Sequence, residues 1–376
     1  MLKIPRLVLI LLAPLTLTAG SVHSLLTGGL HPLADPADNF GQSLGPFGSG
    51  FAAAWCLVVA AAFVFACGSL RARPGSWLGD RRRPIALTAG VVGLLTLDHT
   101  LLMLLGYLPM IIGLVVTGRG GTLADLASPG LAIQVSVAIS IVTLLLALRA
   151  SVTREAGPVT EVELAEATRR TRRWTKIAIE APLVYALTRV LMYFEVPGFT
   201  APGIDLEVRL AGLGLAVAAV FGAVLTWGLI RPWGERFPRW MIGLAGRRVP
   251  IDLAVLPALA VAGLVLAASR AIAVGAFAAG SDGWREQLEA PLIAVPQLLW
   301  PLWGVALALA ALAYQRRRRI ADRLGNTESM ALSPRSSREG EPHDLTAWKR
   351  SVSGTCSPWR ASFWTWWAPR LQCSSS

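Results

Sequence analysis

Long runs of apolar residues alternate with short polar stretches along most of the chain. Eight of these runs reach roughly 20 residues, the length of helix that crosses a hydrocarbon core of about 30 Å. Backbone amides in hydrocarbon must find partners within their own segment, so the runs predict helices even where they are rich in Val and Gly. They lie at about residues 6–26, 51–70, 85–106, 130–148, 177–196, 211–230, 251–273 and 292–314.

The composition supports this interpretation of the pattern. Hydrophobic residues make up 54% of the 376 residues and charged residues only 15%, and the mean hydropathy is +0.54, which exceeds what water-soluble surfaces allow. The predicted fold class is therefore all-α, a polytopic transmembrane helix bundle over residues 1–319. The net charge of +12 lies in short loops beside the apolar runs. Anionic lipid headgroups are thus the expected partner, and nucleic acid is not.

Basic residues are concentrated on every second connection between the predicted spans. With the N-terminus inside, the inner segments before the tail hold two, five, seven and five Lys or Arg residues, whereas the outer loops together hold three. Short loops rich in Lys and Arg stay on the cytoplasmic side, so this count predicts both termini to be cytoplasmic. The row Arg316 to Arg319, directly after the last span, independently predicts the same side for the C-terminus.

Two segments leave alternatives open. Residues 1–22 have a basic start and an apolar stretch ending in small residues, as in a cleaved signal peptide, but apolar character continues through Leu25 and Leu26 and favours a retained helix. The run 85–117 is too long for one crossing and too short for two. Pro109 predicts that the helix ends nearby, with residues 110–117 at the outer interface or shallowly re-entrant.

Ionisable side chains inside spans cost about 2.5 to 3.5 kcal/mol each on insertion scales, so those present need a reason. Given the predicted orientation, five of them fall from the midplane outward, and they form the candidate polar cluster: Asp98, His99, Arg189, Glu195 and Arg270. We hypothesise that Asp98 pairs with Arg189 or Arg270. The pair could form the floor of a site for a small anionic or polar solute, or a proton relay through His99. Alternatively, the carboxylate and the guanidinium neutralise each other and only hold the helices together.

Other candidate sites rest on less. His31, Asp35 and Asp38 could hold a divalent cation, but Pro32 and Pro36 break any helical face that would align them, so a solvated acidic loop is the simpler interpretation.

A bis-histidine haem between His23 and His99 would need matched depth, and His23 lies too near the surface. The four cysteines form no CxxC or Cys/His spacing. We therefore predict neither a cofactor nor a metal.

The loops and the tail differ in character. Glu161, Glu163 and Glu166 precede four arginines before residue 174, which predicts a short amphipathic helix running into the fifth span. Residues 320–376 turn polar and predict a disordered cytoplasmic tail.

Within that tail, five tryptophans beside basic residues suggest either a membrane-surface anchor or the product of a frameshift in a GC-rich gene. They are Trp348, Trp359, Trp364, Trp366 and Trp367.

Several function classes lack their signatures. No GxxxxGK[ST] or HExxH pattern occurs, and no soluble region is large enough for a kinase, sensor or DNA-reading domain. An enzyme acting on lipid-linked substrates would lack any recognisable nucleophile or metal set. Two classes remain: a small-solute carrier or channel-like protein using the region of Asp98 and Arg189, and a non-catalytic membrane assembly or accessory subunit.

The chain resembles a group of uncharacterised multi-pass membrane proteins of high-GC Gram-positive bacteria in three stretches: APLVYALTR at 181–189, RPWGERFPRWMIGLAGRRVP at 231–250 and WGVALALAALAYQRRRR at 303–319. The likeness covers about residues 174–319 and is weaker before them, and the tail does not share it. It implies a multi-pass protein of the bacterial cytoplasmic membrane. Because the group has no assigned activity, the resemblance implies no role for any residue.

Overall fold

The fold is helical throughout the part of the chain that the structure, a computed structural model, describes. The described residues are 4–38, 42–73, 75–105, 116, 118, 128–151, 160–199, 205–278, 280–281 and 298–332. Their main helices are α1 (Ile4–Thr27), α2 (Ser49–Arg71), α3 (Trp77–Asp80), α4 (Arg82–Leu94), α5 (Pro129–Ser151), α6 (Glu161–Tyr193), α7 (Leu206–Trp227), α8 (Ile251–Ala278) and α9 (Trp300–Leu332). The chain divides into units 1–327 and 328–376, and the following concerns the first.

Five of the described helices are long and apolar enough to cross a membrane, judged by length and composition. They are Arg6–Thr27, Ser49–Arg71, Pro129–Leu148, Val208–Ile230 and Ile251–Ala278. These five coincide with predicted spans, and they give the chain the composition of a membrane protein. The tryptophans of the tail and residues 110–115 lie outside the described part.

Helices α1, α2, α4 and α5 pack together as the first helix group. Their shared core is built from small and aliphatic side chains around Phe63, which is fully buried. Polar contacts add to this packing between α1 and α5, where the Ser140 hydroxyl donates to Leu9 O at 3.0 Å and accepts from Ala13 N at 3.0 Å. The hydroxyl thus bridges one step of the α1 hydrogen-bond ladder, next to Pro14, whose missing N–H already weakens it.

Helices α6 to α9 form the second helix group. Helix α6 packs along α7, and apolar clusters join α6, α8 and α9 around Ala262, Ala306 and Ala310. Gly304 of α9 lies so close to α8 that a Cβ there would stand 2.7 Å from Leu266 Cγ. Ala267 of α8 belongs to the core of the first group, so α8 is the helix that joins the two groups.

The connection between α7 and α8 is a folded hairpin over residues 231–250. Phe237 N donates to Arg247 O at 3.0 Å, and Val249 N donates to Glu235 O at 2.9 Å. Tyr314 of α9 holds its base, because the hydroxyl donates to Gly234 O at 2.7 Å. The sequence predicts this segment only as a basic loop.

The helix bounds depart from the sequence predictions in two places and agree with them in a third. The third span is not one helix over 85–106, because α4 ends at Leu94 and a new helical segment begins at Thr100. The predicted amphipathic helix is confirmed as the first turns of α6, which Thr160 caps by accepting from Glu163 N, and Glu166 pairs with Arg170. Helix α9 continues past residue 320, where the sequence predicts the tail to begin.

Candidate functional site

The third span breaks in the stretch TLDHT at 96–100, between α4 and the helical segment that begins at Thr100. Asp98 causes the restart, because its Oδ1 accepts from Thr100 N at 2.8 Å and so satisfies an amide that the new helix start leaves open. The Asp98 side chain is only 3% exposed. The break therefore places unwound backbone and a carboxylate inside the first helix group.

Neighbouring helices supply partners for the unwound backbone. Gln134 of α5, fully buried, accepts from Asp98 N through Oε1 at 3.1 Å. On the other side, Trp55 of α2 donates from its indole nitrogen to the Thr96 hydroxyl at 3.1 Å. Backbone without its helical partners is tolerated at membrane depth only where protein surrounds it, and these contacts meet that condition.

Arg270 of α8 reaches the same break from the second helix group. Its Nη2 donates to Leu97 O at 2.8 Å and lies 3.4 Å from Ser43 O of the preceding loop. No direct ion pair joins Arg270 to Asp98, although the Asp98 charge acts on the guanidinium. The guanidinium thus joins α8, the break and the loop, with a carboxylate nearby.

Two buried polar atoms at this point have no hydrogen-bond partner among the described residues. They are Arg270 Nε, which carries an N–H donor, and Ser43 Oγ, which can donate or accept. An unsatisfied buried donor costs about 1 to 3 kcal/mol. A molecule that forms hydrogen bonds with both atoms would therefore bind favourably. A small polar or anionic molecule has the chemistry to do this. We call Arg270, Ser43, Asp98 and Leu97 O the break site.

In the loop between α1 and α2, the described residues 28–38 and 42–48 pack against the first helix group. Leu33 and Leu44 are buried and paired, since Leu44 N donates to Leu33 O at 2.8 Å. His31 is fully buried beneath them. Leu33 N donates to His31 Nδ1 at 3.1 Å, which leaves the proton of the neutral ring on Nε2, 3.4 Å from Ser21 Oγ. Burial lowers the pKa of His31, in agreement with a neutral ring.

Of the predicted polar cluster, the structure brings Asp98 and Arg270 together. Arg189 makes its contacts elsewhere, stacking over Tyr185 with its guanidinium carbon 4.9 Å from the ring centroid. Glu195 pairs with Arg209 of α7 at the end of α6. His99 is exposed beside the break. The hypothesised ion pair of Asp98 with an arginine is not formed among the described residues; the Asp98 charge only acts on the nearby Arg270 guanidinium.

The histidine-based alternatives find no geometric support. His31 is not part of a solvated loop, and Asp38 is turned toward α5, where its Oδ2 accepts from Gly130 N at 3.0 Å. Among the described residues no group of three His, Cys, Asp or Glu side chains could hold a metal ion. His23 and His99, the proposed haem pair, are both exposed.

Sequence reasoning missed Gln134 and Ser43. Only ionisable side chains were weighed inside the spans, although Gln134 is an amide in the middle of an apolar run and is expensive to bury without a partner. Ser43 gives no such signal, because it lies in a loop whose folding over the bundle is not visible in the pattern.

No family model, no curated protein and no solved structure matches the chain.

Proposed function

We propose that this protein carries or conducts a small polar or anionic solute across a membrane, and that the solute binds at the break site. The observation that carries the proposal is the half-buried guanidinium of Arg270 beside unwound backbone, whose buried Nε has no hydrogen-bond partner among the described residues. Broken spans with polar backbone at membrane depth are a recurrent way to build solute sites in transporters. Charged side chains within spans also commonly mark such pathways.

The proposal includes a topology. It has eight spans with both termini in the cytoplasm of a bacterial cell, and the basic loops lie against anionic headgroups of the inner leaflet. The distribution of Lys and Arg supports it, as does the resemblance over residues 174–319. The break site would then open toward the outer face, beneath residues 28–48. Labelling of single cysteines introduced at residues 36 and 240 tests it, since only the former should react from outside in intact cells.

Binding can be tested on the full-length protein purified in detergent. Acetate, lactate, glutamate and glycerol serve as probes, with melting temperature as the first readout and flux into proteoliposomes as the second. We expect at least one of the anions to raise the melting temperature and to cross the bilayer. Arg270→Gln should abolish both effects, because it removes the charge that would bind the anion.

Arg189→Gln is the matched control, since it removes the same charge within the predicted spans but outside the break site. An equal loss of flux in Arg270→Gln and Arg189→Gln would contradict the proposed site. A wild-type protein that no probe stabilises and that passes none of them would favour the second candidate below.

The second candidate is a non-catalytic assembly or accessory subunit. One observation favours it: the Arg270 guanidinium already binds two backbone carbonyls from separate segments, which is what a structural clasp would do. In that case Arg270→Gln lowers the yield of folded protein, and Arg270→Lys, which keeps a charge and a donor, restores part of it.

A further inference from the structure

A cavity of about 290 Å³ lies between the 231–250 hairpin, the first turns of α6 and the part of α9 beyond its apolar run. It is lined on one side by Leu164 and Thr168 of α6. Its charged lining is Arg236, Arg248, Arg317, Arg318, Glu235 and Asp322. We call this cavity the arginine pocket, and it is separate from the break site.

The positive charges in the arginine pocket outnumber the negative ones. Glu235 pairs with Arg317, and Asp322 pairs with Arg248 at 2.9 Å, so the two carboxylates balance two of the four guanidinium groups. Arg318 is buried and donates to Tyr314 Oη at 2.7 Å and to Val249 O at 3.3 Å, contacts that hold it in place without neutralising it. Two positive charges therefore remain without a counter-charge in the lining.

The arginines at the base of the pocket repel one another because they are positive charges held close together. Burial lowers the pKa of Arg317, Glu235 raises it in part, and the charges of Arg318 and Arg172 lower it further. Such crowding of like charges is unfavourable unless an anion relieves it. Arg236 completes the arrangement, because its exposed guanidinium forms no ion pair or side-chain hydrogen bond with another described residue. The pocket thus has fixed guanidinium groups at its base and a free one at its rim.

We propose that the arginine pocket binds a phosphate group. Planar guanidinium groups donate pairs of hydrogen bonds that match phosphate oxygens, which is why arginine clusters recognise this chemistry. A phosphate monoester carries about −1.5 to −2 charges near pH 7 and so balances the two excess positive charges, whereas the phosphodiester of a lipid headgroup balances one of them.

The phosphate could come from a lipid headgroup or from a soluble phosphate ester. The tip of the hairpin exposes Trp240 and Ile242, 78% and 99% of whose surfaces are accessible. Exposed indole and aliphatic side chains beside arginines suit the surface of an anionic membrane. A soluble ester would instead use the charge of the pocket alone. The inference does not depend on the proposed transport function.

The test uses the full chain and two charge-matched double variants. Arg236→Gln with Arg248→Gln removes two charges from the pocket, and Arg239→Gln with Arg247→Gln removes two from the same hairpin outside it. In one arm, inorganic phosphate and glycerol phosphate are titrated in detergent by calorimetry. In the other, native mass spectrometry counts the phosphatidylglycerol molecules retained from nanodiscs of phosphatidylglycerol and an uncharged glycolipid.

We expect the pocket variant to bind about tenfold more weakly than the wild type, while the control variant stays within about twofold. Binding in the calorimetric arm identifies a soluble ester as the source. Retention in the nanodisc arm alone identifies a lipid headgroup. Equal weakening by both variants would show general charge attraction and overturn the pocket, as would absence of binding in both arms. Unchanged melting temperatures of the variants establish that folding is not the cause.

Discussion

The first helix group buries polar side chains between its helices, whereas the second buries mainly apolar and small ones there. In the first group, buried polar side chains link different helices or cap the break: Ser21, Thr96, Asp98, Gln134, Ser136 and Ser140. In the described part of α6 to α9, the buried polar residues are Thr171, Thr175 and Arg318. Thr171 donates only within its own helix, to Ala167 O.

The difference shows two ways of fixing helices when both solvent and core are apolar. Hydrogen bonds between helices are worth on average about 0.6 kcal/mol each in membrane proteins, but they are met in one register only. Small residues instead let backbones approach closely, and packing then fixes the pair. Directional hydrogen bonds between helices therefore fix the helix register in the first group, and close packing of small residues fixes it in the second. Four substitutions test this contrast.

Gly304→Val should have the largest effect, because the second group depends on close approach. A Cβ at this position would lie 2.7 Å from Leu266 Cγ and 3.1 Å from Ala262 O. Such overpacking should lower the free energy of unfolding by about 3 kcal/mol. Unfolding by titration with SDS measures it. Gly222→Val is the control, since no atom lies within 4 Å of a Cβ there. Equal losses would contradict shape as the cause.

Ser140→Ala tests the contribution of hydrogen bonds between helices in the first group. It removes the hydroxyl that bridges Leu9 O and Ala13 N, and we expect a loss of about 1 to 2 kcal/mol in the same titration. Ser269→Ala in α8 is matched in size, but that hydroxyl donates only to Val265 O of its own helix. Its expected loss is below about 0.5 kcal/mol. A reversed order would remove the contrast between the groups.

Acid should weaken the first group through His31. Burial lowers the pKa of His31 below its ordinary value of 6.5. Between the lowered pKa and 6.5, the unfolded chain therefore binds a proton that the folded chain does not bind. Stability from this residue is therefore complete above pH 6.5 and falls below it, by at most about 1.4 kcal/mol per pH unit. Melting temperatures between pH 7.5 and 5 measure the effect. His31→Gln should flatten the profile, and His23→Gln, at an exposed position, should not.

Glu195 gives the smallest effect, at the end of α6. Val196 N donates to Leu191 O and Glu195 N to Met192 O, the bonding of a Schellman cap, which places Glu195 at φ 54° where glycine is preferred. Glu195→Ala keeps the unfavourable conformation and loses the pair with Arg209. Glu195→Gly loses the pair but relieves the backbone, so it should be about 1 kcal/mol more stable than the alanine variant. Equal stability in SDS titrations would contradict the cap.

Periodicity and charge predicted the helices better than their interruptions. Apolar runs located five membrane-length helices, because length and hydropathy are local properties. They did not reveal the break at 95–99, where Gln134 accepts from the Asp98 amide and Trp55 donates to the Thr96 hydroxyl, both from helices distant in sequence. The free-energy cost of placing a charge inside a span did identify Asp98 and Arg270 as candidate site residues. It also selected Arg189 and Glu195, whose contacts lie away from the break and whose role the pattern alone could not distinguish from that of a site residue.

The hydroxyl of Ser140 has a consequence for the order in which the chain is made. It bridges Leu9 and Ala13 in α1 from 131 and 127 positions later in the sequence. At about 5 to 20 residues per second, roughly 6 to 26 seconds separate synthesis of the two partners. During that interval the first helix lacks this bridge. We expect nascent chains arrested after α5 to show a pulling force on entry that chains with Ser140→Ala lack.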